Sequence, residues 1–222
     1  MKQLSYLMLL LGLIMIGWDY PMLYPLKLLV VFFHESSHAL ATLLTGGSVK
    51  ELIINKDQGG HVISQGGNRF IILSAGYIGS LLWGVVIYLA SVKSRYDKAI
   101  MTVLGISIII ITVVLSRSLF SWLFGLLTGG AMLLMAKYLA EQYNDFALRV
   151  IGLTSMMYAP LDIYSDTISR SHLPSDAYLL ADYIGGTTLL WGGLWIIISV
   201  VVIFYCFNMS LIKPLLNDFP KK

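Results

Sequence analysis

The sequence predicts an all-α polytopic membrane protein: six or seven transmembrane helices, with a short interfacial β-hairpin after the helix that carries an HExxH motif. Three observations predict it. Of the 222 residues, 57% are hydrophobic and 12% are charged, about half the charge content of a soluble domain. Seven stretches, at 4–18, 26–45, 70–92, 99–116, 119–136, 150–166 and 187–212, approach the ~20 apolar residues that a bilayer core takes from a helix. Between the second and third stretches, residues 46–68 carry two short β-branched runs around a turn-rich centre, which is a hairpin signal.

The same composition excludes a soluble enzyme, a disordered tail and a nucleic-acid binder. Three glutamates (Glu35, Glu51 and Glu141) are too few to coat a soluble surface of this size. The net charge of +3 is spread along the chain without forming a basic patch, so no nucleic-acid partner is expected. The partners left are the lipid bilayer and what lies within it. The single cysteine, Cys206, cannot form an internal disulfide.

Each element has its own warrant. The first stretch follows Lys2 and has the length of a signal-peptide core. However, Gly17-Trp18-Asp19 lacks a small-x-small cleavage site, so an uncleaved anchor is expected; half-inserted, it would leave six spans. Asp19-Tyr20-Pro21 reads as a tight turn, and residues 93–98 and 141–145 read as short charged loops. The third stretch carries Gly76, Ser80 and Gly84 at four-residue spacing, a small-residue stripe expected to pack against the HExxH helix. Trp191, Trp195, Phe204 and Tyr205 read as belt or packing aromatics. No tandem repeat or low-complexity linker divides the chain, so residues 1–222 are expected to form one membrane-embedded domain.

The chemistry is concentrated in Phe33-His34-Glu35-Ser36-Ser37-His38-Ala39. Four-residue spacing on a helix turns both imidazoles the same way. Two nitrogens can then share one zinc, with Glu35 beside the open coordination position as general base for water. The motif lies inside the apolar stretch, between Leu28-Leu29-Val30-Val31-Phe32-Phe33 and Ala39-Leu40-Ala41. Ionisable groups at that depth are costly unless paired, and by default they mark function.

Catalytic zinc takes three protein ligands, so a third must come from elsewhere: His61, Asp162, Asp166, His172 or Asp176. Depth favours Asp162. His38 lies eleven residues past Lys27, and Asp162 thirteen past Arg149, in spans expected to run parallel. Pro160 loosens the helix just before it and makes room for water or a ligand. Asp166, one turn on and on the same face, is the alternative ligand or a partner of the first. His61 and His172 read as solvated loop residues.

The stretch from Phe33 to Ala41, followed by Thr45-Gly46-Gly47, resembles the site-two-protease-like membrane metallopeptidases, in their compact B-like branch. Further blocks fit that branch: Gly59-Gly60; Ala75-Gly76-Tyr77-Ile78-Gly79-Ser80; Asp162-Ile163-Tyr164-Ser165-Asp166-Thr167-Ile168-Ser169-Arg170; Ser175-Asp176-Ala177; and a Trp-rich last span. The resemblance covers residues 33–195. It implies a zinc-dependent intramembrane protease, and it carries over His34, His38 and Glu35 directly. Site-two proteases proper place their aspartate in an Asn-x-x-Pro…Leu-Asp-Gly context. This chain has Pro160-Leu161-Asp162, but Ile163 stands in place of the glycine and no asparagine matches. Asp162 and Asp166 therefore both stay open as the third ligand.

The expected activity is zinc-dependent hydrolysis of a peptide bond in a membrane-spanning or membrane-associated substrate, with the Gly59, Gly60 hairpin as the candidate substrate-binding element through strand addition. The alternative is a non-proteolytic membrane metal-binding scaffold or sensor. A transporter is disfavoured, because the fourth and fifth stretches carry almost no polar residues beyond Ser and Thr.

Overall fold

The computed structural model describes residues 2–18, 20–170 and 174–211, with the backbone alone for 2–8, 210 and 211. Helix α1 (Lys2–Ile16) leads through a single 3-10 turn (Pro21–Leu23) into α2 (Tyr24–Leu44), which bears the HExxH motif. Strands β1 (Ser48–Ile54) and β2 (Gly60–Gln65) follow, then α3 (Arg69–Lys93), α4 (Asp97–Leu115), α5 (Leu119–Tyr138) and α6 (Glu141–Tyr164). Helix α6 ends in a π-helical turn (Ser165–Ser169), and α7 (Asp176–Ile184) and α8 (Thr188–Leu211) complete the chain.

Among the described residues, five helices are long and apolar enough to cross a membrane: α3, α4, α5, α6 with its π turn, and α8. The count rises to six if α1 and α2, bent by 110° at the break between them, form one span. Taken separately, α1 and α2 are not among those five. At 1.5 Å per residue, α1 reaches about 22 Å, short of a ~30 Å hydrocarbon core. Helix α2 is diluted by Lys27, His34, Glu35 and His38.

Two further elements differ from expectation for physical reasons. Residues 141–145, read as a loop, open α6. Glu141 Oε2 accepts from the backbone N–H of Lys98 (3.0 Å) in the first turn of α4. The buried Asn144 amide reaches the carbonyls of Ala140 (3.1 Å) and of Met135 and Leu139 (3.4 Å). Glu141 thus serves an orphan N–H at the start of α4, and Asn144 serves the Leu139 carbonyl where α5 turns into α6, which is work a loop would leave to water. Helix α7 was not anticipated at all. It starts where the Ser175 hydroxyl accepts from Tyr178 N–H (3.3 Å) as an N-cap.

Helix α3 is the hub, packing against α2 and α6 and also touching α7 and α8. Its small-residue stripe serves two neighbours rather than the one expected. Gly76 faces His34 and His38 of α2, but a Cβ on Gly84 would lie 2.6 Å from Met156 N and 2.7 Å from Gly152 O of α6. A reciprocal Cβ on Gly152 would meet Gly84 O at 2.9 Å, so the two backbones touch. Ser155 of α6 donates to Ser80 O (2.7 Å) in the same seam. The reason is geometric: with 3.6 residues per turn, an i, i+4 row drifts about 40° at each step, enough to carry Gly84 off the face that Gly76 occupies.

The expected hairpin forms, with Leu52 opposite Val62 and Ile54 opposite Gly60. Leu52 and Ile54 are fully buried in the core shared with Leu28, Phe32 and Leu148. The outer edge of β1 is closed: Ile54 N–H donates to Ser121 Oγ (2.8 Å), the Ser121 hydroxyl donates back to Ile54 O (3.2 Å), and Leu52 bridges Ser116. The tip is tied to the start of α2 by Tyr24 OH donating to Lys56 O (2.6 Å).

Asn144→Ala takes a side-chain donor from the α5–α6 turn, where the Met135 and Ala140 carbonyls keep backbone donors and the Leu139 carbonyl loses its partner. It is expected to cost about 1–3 kcal/mol, read as a lowered unfolding midpoint in detergent. The exposed neighbour Gln142→Ala should stay within about 0.5 kcal/mol of the parent.

Candidate active site

Helix α2 is buried over most of its length, including Glu35, Ser36, Ser37 and His38. The four-residue spacing brings the imidazoles together, with His34 Nε2 and His38 Nε2 3.1 Å apart. Asp176 Oδ2 completes a triangle, 3.1 Å from each of them. Among the described residues, these three form the group able to hold a metal ion.

Several details fit that group to a cation. Ile72 O accepts from His38 Nδ1 at 2.7 Å, which places the proton on Nδ1 and leaves Nε2 a free lone pair. Asp176 Oδ2 is buried without a hydrogen-bond partner besides the two Nε2 atoms it faces, so three atoms able to ligate a cation converge on one another. A Cβ on Gly76 would collide with both Nε2 atoms; glycine keeps that space open. Burial by itself would raise the Asp176 carboxyl, but positive charge on His38 and His34 when protonated, the place a bound cation would take, holds it well below the ordinary carboxylate range. Two imidazoles and one carboxylate are a donor set used by hydrolytic zinc sites.

Asp176 reaches the site because α7 is a short anchored helix. Its fully buried Ala177 and Leu180 pack with Leu73, Tyr77, Ile163 and Trp195. This sets its first residue against the middle of α2, beside His34 and His38.

The triangle opens into a cavity of about 710 Å³. Gly60 and Val62 of β2 line it, as do Asp162, Asp166 and Arg170 at the end of α6. Glu35 meets the hairpin directly: a Cβ on Gly60 would lie 2.8 Å from Glu35 Oε1. Of the two glycines expected there, Gly60 is the one in contact. Gly59 would meet only Asp57 Oδ1, at 3.8 Å.

The depth argument thus leads to a carboxylate that lines this cavity and not to the one beside the two histidines. Asp162 and Asp166 line it but lie outside the His34–His38–Asp176 group. Arg170 Nη2 occupies them, at 2.6 Å from Asp166 Oδ1 and 3.8 Å from Asp162 Oδ1. The Tyr77 hydroxyl donates to Asp166 Oδ2 (2.5 Å). His61 lies on β2, exposed and lining the cavity, and His172 falls outside the described residues. The signal for Asp176 was in the chain. Pro174-Ser175-Asp176 reads as a helix start, with serine at the N-cap and an acid in the first turn.

A family model described as Peptidase M50B-like matches residues 6–206. The chain belongs to this family of integral-membrane proteases, as the resemblance in the sequence implied, and with five such apolar helices among the described residues it is a multi-pass membrane protein. No curated protein matches the chain, and no solved structure does.

Gly76→Val fills the space beside both Nε2 atoms. It is expected to reduce bound metal at least about tenfold, measured by elemental analysis of the purified protein. Gly130→Ala, where a Cβ meets nothing within 4 Å, should leave metal content unchanged.

Proposed function

We propose, from the premise of a Peptidase M50B-like membrane protein, that the chain is a zinc-dependent intramembrane endopeptidase acting on a membrane-spanning or membrane-associated segment. The observation that carries this reading is the convergence of His34, His38 and Asp176 beside Glu35 in one cavity. In this reading His34, His38 and Asp176 hold the metal, and Asp162 does not. Zinc so held supplies a Lewis acid for the scissile carbonyl and lowers the pKa of the attacking water.

The chain's own residues do the rest. Glu35 takes the proton from the water and delivers it to the departing amine. Its carboxylate is kept at the reacting end of the cavity by the wall that Gly60 forms. His38, fixed through Ile72 O, keeps its Nε2 aimed at the site.

The hairpin supports an extended substrate. Ile54 turns its N–H away from β2, toward Ser121. By the alternation of an antiparallel ladder, its opposite residue Gly60 turns its own N–H and C=O away from β1, and Val62 follows two residues on. Both residues line the cavity. A substrate strand added to that edge would pass Glu35 in an extended form, its backbone exposed for attack.

Two outcomes are expected of the purified protein in detergent or liposomes. Glu35→Gln should lower cleavage of a confirmed substrate by at least about a hundredfold while its zinc content equals that of the parent. Parent-like cleavage by that variant would overturn the general-base role, and full rescue of a deletion strain by it would favour a metal-binding scaffold or sensor. Asp176→Ala should lose zinc while Asp162→Ala retains it, by elemental analysis; the reverse pattern would exchange their roles.

A further inference from the structure

The two histidines are not held alike. His38 has an outer hydrogen bond, Nδ1 to Ile72 O at 2.7 Å. The buried His34 Nδ1 has no hydrogen-bond partner among the described residues. An imidazole without such a bond can turn about χ2 and carry its ligating nitrogen off line. What meets the His34 ring instead is Tyr77, edge-on, with centroids 5.1 Å apart and planes at 82°.

Tyr77 is itself fixed on every side. It is 1% exposed, its ring lies 5.2 Å from that of Trp195, and its hydroxyl donates to Asp166 Oδ2. The other oxygen of that carboxylate, Asp166 Oδ1, accepts from Arg170 Nη2 at 2.6 Å. The π turn that ends α6 carries Asp166, and Thr167 beside it packs against Gly192 of α8. This anchors the carboxylate to a second helix.

We propose that Tyr77, held by Asp166 and Arg170, is a positioning residue that fixes the plane of the His34 ring in place of the outer hydrogen bond that His38 has. Asp166 acts through Tyr77 and is not a ligand. The proposal rests on the metal-site reading above. A phenylalanine would fill the same core volume. A tyrosine that commits a carboxylate and a guanidinium near the end of an apolar span brings with it two charges, the carboxylate partly buried and the guanidinium exposed, that packing alone does not call for. Those charges have a use if the ring must stay in one place.

The test is zinc release into a chromogenic chelator, with the visible bands of the cobalt-substituted protein as a second readout. Tyr77→Phe removes one oxygen and keeps the ring. It is expected to speed zinc release about tenfold, at the low end of the range for partners that orient metal ligands, and to shift the cobalt bands. Asp166→Ala should do the same. The double variant should release zinc no faster than the faster single, because both remove one strut. Tyr143→Phe, an exposed tyrosine in the first turn of α6, should match the parent. Parent-like release and unchanged cobalt bands in Tyr77→Phe, or effects that multiply in the double variant, overturn the proposal. If Asp166→Ala fails to fold, Tyr77→Phe alone decides. A parent protein that takes up neither zinc nor cobalt fails at the earlier step, and the metal-site reading fails with it.

Discussion

Everything else in the molecule answers to one constraint: a helix that is apolar at both ends carries two imidazoles and a carboxylate at its buried centre. Each of these groups would be costly there alone. The fold meets the cost from three directions. Helix α3 supplies the Ile72 carbonyl that accepts from His38 and the bare backbone of Gly76 that lets the imidazoles come close. Helix α7 supplies the Asp176 carboxylate. Strand β2 supplies a glycine wall that admits the Glu35 side chain.

This explains why α3, and not the motif helix, is the hub. To serve the site it must lie against α2 at Gly76, and to hold the bundle together it must lie against α6 at Gly84 and Ser80. One residue after Gly76, Tyr77 faces the cavity and the end of α6 at once. A single helix therefore couples the packing of the bundle to the geometry of the triangle. A shift of α3 against α6 would be felt at the imidazoles, because close-packed helices transmit displacement rather than absorb it.

How much of this the sequence revealed depended on whether the signal was local. His34, Glu35 and His38 were legible because helical spacing alone puts them on one face, and the hairpin was legible because glycines and β-branched runs punctuate it. The cavity was partly legible: depth counted along two parallel helices led to Asp162, which does line it. The third member of the triangle was not. Asp176 sits on nine residues of helix that span nothing, and depth along a bilayer says nothing about a short segment that folds back against a bundle. Its capping signal could have predicted the helix, but not where the helix would land. Asn144 misled for the opposite reason. A polar side chain in an apolar chain reads as a loop until the carbonyls it satisfies are known, and those belong to residues up to nine positions earlier, in α5.

The hairpin joins the two halves of the proposed reaction. Its outer strand is bolted to the start of α5 through Ser121, with hydrogen bonds in both directions, and its inner strand rests on Glu35 through Gly60. The free edge of β2 is therefore registered to the carboxylate by the helical scaffold, independently of what lies along it. A peptide that paired with this edge would have its register set by backbone hydrogen bonds, and whichever peptide bond fell beside Glu35 would be presented without reference to its side chains. Side chains would act only through the cavity beyond, where Arg69, Arg170 and the two carboxylates that Arg170 holds are among the charged groups a passing segment would meet. Such a division lets the main chain decide where attack occurs and leaves the floor of the cavity to decide which segments are tolerated.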